Sequence, residues 1–288
     1  MTIPSHVKYI AGTGMFKDEP NLVAVTFPNG FRSIPVHTFF GCTNLKQVTL
    51  AEGLVSIEDG AFYSCPIEKI TFPEGLECIG GTSSQVQQGA FENCTKLTSV
   101  TIPSSVIKMN ARCFYGCTSL ESVTIEEGIE KIGKSVFAHC TALTELKFPE
   151  STKYCYLTTV AYTGITSLVW PKSLAVDGSL AYFLESGEGI PVTSLIIQKG
   201  TERLDYYFFF RCDNLKTFYF TGTEQEWKNV EIDRKPYGKF GYQPAVEAEA
   251  RKILDAWESR LTVYFYSETE PTEEGYYWHY VDGVPTKW

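Results

Sequence analysis

Between residues 16 and 220, apolar side chains recur at offsets that fit neither one long helix nor one plain strand alternation. With Cys42, Cys65, Cys94, Cys117 and Cys140 taken as origins, a phenylalanine stands three residues before each: Phe39, Phe62, Phe91, Phe114 and Phe137. A leucine follows at plus three in Leu45, Leu97, Leu120 and Leu143. Apolar pairs then sit at plus six and plus eight, as Val48/Leu50, Val100/Ile102, Val123/Ile125 and Leu146/Phe148. A polar residue separates the members of each pair, which is the period-two signature of a short strand with one buried face. The unit at Cys65 is one residue shorter and keeps Ile67, Ile70 and Phe72 in the same roles. Phe16, Leu22, Val25 and Phe27 repeat the pattern with Glu19 in the cysteine place, and Phe209, Cys212, Leu215, Phe218 and Phe220 repeat it near the other end. Ile165/Leu168/Trp170 and Val192/Leu195/Ile197 carry only its second half. Nine short strands are predicted, centred on residues 26, 49, 71, 101, 124, 147, 169, 196 and 219.

The cysteine origins lie 23, 29, 23 and 23 residues apart. A period of this size with an L-x-x-L-x-L core is the mark of a leucine-rich-repeat solenoid. Each unit is one turn of a coil that cannot bury its apolar face alone, so neighbouring turns stack into a continuous core. The strands then run in one direction as a parallel sheet with rungs about 4.8 Å apart. Offsets minus three, plus three, plus six and plus eight are expected to point inward, in a right-handed coil of about nine turns; the hand follows the crossover preference of parallel strands. A second apolar group after each strand (Leu54/Ile57, Leu76/Ile79, Val106/Met109, Ile129/Ile132) is expected to cover the opposite wall. Pro28, Pro73, Pro103, Pro149 and Pro171 fall just past strands, where a missing N–H interrupts no ladder. The pattern lapses over 151–190, and "GTSSQVQ" (81–87) adds about seven residues.

The unit "AFxxCxxLxxVTIPxxVxxIG", best seen at 61–79, 90–109 and 113–133, resembles the BspA-like leucine-rich repeat, also called the Treponema pallidum type. The resemblance spans roughly residues 2–220, and the ending "VYFYSETEPTEEGYYWHYVDGVPTKW" resembles the tails of such proteins from gut Firmicutes. It implies a bacterial protein, secreted or at the cell surface, that takes part in adhesion to a host or bacterial protein. Thr2-Ile3-Pro4 matches Thr101-Ile102-Pro103, so the chain is expected to begin within a repeat, after a segment with a signal peptide.

Beyond Phe220 the periodicity stops. "TGTEQEWKNVEI" (221–232) predicts a short helix capped by Thr223, with Trp227 and Val230 facing inward. In 244–261, Val246, Ala250, Ile253, Leu254, Trp257 and Leu261 form one stripe at helical spacing. "LTVYFY" reads as a strand, and Asp282-Gly283 as the turn of a hairpin. The expected organisation is a solenoid over 1–222 and an α+β cap over 223–288, with two helices, a strand and a hairpin, closing the open end of the coil.

Composition narrows the function. The 288 residues carry a net charge of −9 and no Lys/Arg block, which argues against nucleic acid and anionic membrane surfaces. No apolar run is long enough to span a bilayer, and residues 1–16 show no signal-peptide pattern. The nine cysteines contain no C-x-x-C pair and are expected to be unbridged packing groups, with Cys113 and Cys117 the best placed for an accidental bridge. No G-x-S-x-G, H-E-x-x-H or phosphate-binding glycine loop appears, and the four histidines share no offset. No enzyme activity, metal site or cofactor is therefore expected.

One surface column stands out. Offset plus seven alternates with the inward positions and reads Thr26, Thr49, Thr71, Thr101, Thr124, then Lys147, Val169, Ile196, Tyr219. The last four are expected to form an exposed strip that contacts an extracellular protein, unless the irregular 151–190 segment folds over it. The alternative ligand is carbohydrate or cell wall, held by the aromatic tail (Tyr276, Tyr277, Trp278, Tyr280, Trp288).

Overall fold

The computed structural model describes residues 1–81, 88–172, 189–205, 214–233, 259, 261–272, 275–282 and 284–288. The chain divides into two compact units, Met1–Ile165 and Thr166–Trp288.

In the first unit, short parallel strands stack at the expected positions. β1 (Ala24–Thr26) pairs with β3 (Gln47–Thr49), and β6 (Ser99–Ile102) pairs with β8 (Ser122–Ile125), with equivalent repeat residues side by side. Leu97, Val100 and Ile102 are buried and Thr101 is exposed, so the inward register is as the alternation predicts. On the opposite wall, β2 (Ser33–Ile34), β4 (Ser56–Ile57), β5 (Cys78–Ile79), β7 (Lys108–Met109) and β9 (Lys131–Ile132) form a five-stranded parallel sheet. Its inward residues are the second apolar groups of the repeat, all fully buried.

Along the first unit runs a column of rings. Phe16, Phe39, Phe62, Phe91, Phe114 and Phe137 stack one on the next at centroid separations of 5.2–5.6 Å with planes within 14°. Beside it, each origin cysteine donates its thiol to the carbonyl of the column phenylalanine one turn earlier. Cys42 reaches Phe16 at 2.9 Å, Cys65 reaches Phe39 at 3.1 Å, Cys94 reaches Phe62 at 3.2 Å, Cys117 reaches Phe91 at 3.2 Å and Cys140 reaches Phe114 at 3.1 Å. A small apolar side chain with one weak donor fills this position and satisfies a buried carbonyl together. The eight described cysteines are free. Cys113 turns from Cys117 and donates to Ile79 and Asn110 oxygens, both at 3.0 Å. The ninth, Cys212, lies outside the described residues. The residue before each origin is left-handed (Gly41, Ser64, Asn93, Gly116, His139), and a Cβ on Gly41 would meet Asp18 Oδ1 at 2.1 Å.

The second unit is built on a six-stranded sheet. β10 (Ser167–Trp170), β11 (Ser194–Ile197) and β13 (Thr217–Phe220) are parallel and in repeat register. The sheet then continues past residue 222: β15 (Thr262–Tyr266) adds in parallel with Thr217 opposite Thr262, β16 (Tyr277–Val281) pairs parallel with β15, and β17 (Val284–Lys287) closes an antiparallel hairpin at Asp282. Two further short strands, β12 (Arg203–Asp205) and β14 (Glu231–Asp233), pair in parallel. Helix α1 (Glu224–Trp227) has the expected Thr223 cap, reinforced by Glu226 in a capping box. Trp227 packs against Phe218 and Phe220. The helix expected over 244–261 falls almost wholly outside the described residues.

Strands thus form at seven of the nine expected centres, giving about seven turns rather than nine. The unit at 71, shortened by one residue, has a bridge between Lys69 and Gln47 in place of a strand. At 147 no strand of two or more residues forms.

Candidate binding face and titratable groups

Along β10, β11 and β13 the inward residues Leu168, Trp170, Leu195, Ile197, Phe218 and Phe220 are all buried. Strand alternation therefore turns Val169, Ile196 and Tyr219 to the other face. The same face receives Tyr264 and Tyr266 from β15, and Trp278 and Tyr280 from β16, by their registers. Trp278 is fully buried there and donates its indole N–H to the Phe220 carbonyl at 3.0 Å. Its ring lies 5.2 Å from both Tyr219 and Tyr266 and 4.9 Å from Tyr280.

The expected strip is corrected by this placement. Lys147 is exposed in the first unit, and Val169 is half-buried in the second. Ile196 and Tyr219 are only 5% and 9% exposed, because Trp278, with Tyr264 and Tyr266, packs over them. The strip is expected to be exposed unless the 151–190 segment folds over it; among the described residues it is tail residues that cover Ile196 and Tyr219. Among the described residues on this face, the most exposed aromatic side chains are Tyr276, 60% exposed, and Tyr280, 45% exposed. Tyr276 is held edge-on to Tyr264 at 5.5 Å, and Tyr280 lies 6.1 Å from Tyr266. Lys287 reaches back with its ammonium 4.3 Å from the Tyr264 ring centre. Trp288 lies tilted against His279 at 3.8 Å between ring centres, and Tyr277 is half-buried.

Burial pushes the thiols of Cys94, Cys113, Cys117 and Cys155 up, the last to about 12, so they stay protonated and unreactive at neutral pH. Among the described residues no group of three or more His, Cys, Asp or Glu could hold a metal ion. No described helix is long and apolar enough to cross a membrane. A cleft of about 600 Å³ is lined by residues including Met1, Ile3, Tyr9, Ile10 and Phe16, and one of about 590 Å³ by Lys46, Thr49, Glu68 and Lys69 among others. Neither sets a nucleophile against a perturbed base.

One buried carboxyl is strained. Asp59 is 4% exposed; its Oδ1 accepts from the Gly81 N–H at 2.7 Å, and its Oδ2 has no hydrogen-bond partner among the described residues. Its pKa stands raised at about 6: burial raises it most, the Gly81 N–H pulls it partly back, and the neighbouring Glu58 charge adds to the rise. The folded state therefore holds the proton more tightly than the unfolded chain. Its stabilisation is fully present below pH 3.8, the unfolded value, and is lost as pH rises through about 6. The loss amounts to about 3 kcal/mol by pH 7. We expect the denaturation midpoint of the first unit to fall between pH 4 and 7, and Asp59→Asn to remove that part of the fall. A midpoint with the same pH profile in both proteins would refute it.

Comparison with known proteins agrees with the repeat. The model for the BspA type leucine rich repeat region matches residues 8–83 and 79–183, in six copies. No curated protein matches the sequence. Among solved structures, a leucine-rich repeat protein from Bacteroides ovatus is 21% identical, with a TM-score of 0.49 over 81% of this chain and 60% of its own. A leucine rich cell surface protein from Faecalibacterium prausnitzii is 20% identical, with a TM-score of 0.39 over 74% of this chain and 64% of its own. The T. pallidum leucine rich repeat protein is 26% identical, with a TM-score of 0.37 over 50% and 77%. The chain thus spans under two thirds of the first two.

Proposed function

Because the chain belongs to the BspA-type leucine-rich-repeat family, we propose that it is a non-catalytic adhesion scaffold at the cell surface, with residues 223–288 both closing the solenoid and carrying the contact surface. The observation that supports this most is the face assembled by β10, β11, β13, β15 and β16. Repeat strands supply its base, and tail strands supply rings that reach solvent. The rings are braced against one another, so little side-chain freedom is lost when a partner docks. Val169, Tyr276 and Tyr280 are the accessible part, and the covered Ile196 and Tyr219 support them from below. A surface location and a protein partner are what the family implies; a carbohydrate or cell-wall partner is what the aromatic tail suggests.

The test is retention of the purified chain on bacterial and epithelial cells, wild type against a Tyr276→Ala, Tyr280→Ala double variant of matched circular dichroism. Wild type should be retained and the double variant washed off. Equal retention of the two would remove this face from the function.

A further inference from the structure

We infer that the outer face of the second unit's sheet is built to hold a neutral polysaccharide chain of β-linked pyranose units, a reading that rests on the binding role proposed above. The face has two parallel rows. One is a row of hydroxyls, Ser167, Ser194, Thr217 and Thr262, set side by side by the strand register and all half-buried. Two residues along each strand lies the other row, Val169, Ile196, Tyr219 and Tyr264, extended by Tyr266, Trp278 and Tyr280; Ile196, Tyr219 and Trp278 are its buried base, and Tyr276 and Tyr280 are the rings that reach solvent. Ser167 Oγ is buried without a partner among the described residues. Rungs about 4.8 Å apart advance at close to the length of one pyranose unit.

Each row suits one side of such a ligand. β-Linked pyranoses with equatorial substituents present flat C–H faces, which stack on aromatic rings, and an equatorial rim of hydroxyls, which hydrogen-bond to Ser and Thr. The two exposed rings are already positioned: Tyr280 leans on the buried Trp278, which is anchored through its indole N–H to Phe220, and Tyr276 leans on Tyr264.

Charge selects the class. Among the described residues that these registers turn to this face there is no carboxylate, and one cation, Lys287, is engaged over Tyr264. A basic protein would find no counter-charge on it. An acidic polysaccharide would approach a chain of net charge −9 with one lysine to receive it. A neutral, hydroxyl-rich chain meets neither penalty.

The experiment is native affinity electrophoresis of the full chain in gels containing mixed-linkage β-glucan, neutral xylan or polygalacturonate. Wild type should be retarded by a neutral polymer and not by polygalacturonate. Tyr276→Leu and Tyr280→Leu should each weaken retardation about tenfold, the worth of one lost ring contact, while Tyr276→Phe and Tyr280→Phe, which keep the ring, should retain it. The proposal is overturned by retardation in polygalacturonate alone, by leucine variants that run like wild type, or by no retardation in any gel. If the last occurs while cell retention still depends on Tyr276 and Tyr280, the ligand is a protein: the scaffold reading stands and this one falls.

Discussion

Replacing Trp278 with alanine is expected to cost the second unit about 3–5 kcal/mol, the range for deleting a fully buried large aromatic. The indole is completely enclosed, and it covers Ile196 and Tyr219, so its removal opens a cavity lined by those two side chains and by Tyr266. It also removes one hydrogen bond from the Phe220 carbonyl, which accepts the indole N–H at 3.0 Å. Trp278→Phe separates the two effects: the ring remains, the donor goes, and the cost should drop to about 0.5–1.5 kcal/mol for the lost hydrogen bond. Denaturant unfolding followed by near-ultraviolet circular dichroism reads both variants, and dye binding reports whether the apolar row has been uncovered. An unchanged midpoint for the alanine variant would mean that the tail is an independent module lying on the sheet and not part of its core.

How far the sequence reaches follows from the range of each interaction. The columns at Phe39, Cys42, Leu45 and their equivalents are local, repeated signals, and each copy reinforces the others. They predict the parallel rungs, the buried wall at Ile57, Ile79 and Met109, and the outward direction of Tyr219. Strand alternation says which face a residue is on, but not what lies over that face. Trp278 is 58 residues from the carbonyl it binds, in a segment without the repeat, so no periodicity links it to Ile196 and Tyr219. The same holds for β15, which takes the next place in the sheet after an interval far longer than one repeat. The tail aromatics drew attention by composition alone; only the register sorts Tyr276 and Tyr280, which reach solvent, from Trp278, which does not. The cysteine column was readable as small buried groups, while its second role, donating to a carbonyl one turn away, needs coordinates. Asp59 occupies no repeated offset, and its burial beside Glu58 follows from the close approach of Gly81, whose added Cβ would lie 2.6 Å from Asp59 Oδ2.

Phe114→Ala is expected to cost the first unit about 3–5 kcal/mol by cavity formation alone, and more than the same change at the end of the ring column. Phe114 is fully buried between Phe91 at 5.4 Å and Phe137 at 5.6 Å, with Phe72 edge-on at 6.5 Å. Its carbonyl also receives the Cys140 thiol. In a stack of repeats the stability is close to a sum over neighbouring interfaces, so an interior ring is counted in two of them and an end ring in one. Phe16, half-buried, stacks on Phe39 at 5.4 Å from the first turn of the column. Each lost ring pair removes about 0.5–1.5 kcal/mol beyond the area term, so Phe16→Ala should cost less than half as much as Phe114→Ala. Denaturant midpoints of the two variants at one pH decide it. If both lose the same amount, the column is not an additive ladder but one cooperative block, in which a ring's place along the coil does not matter.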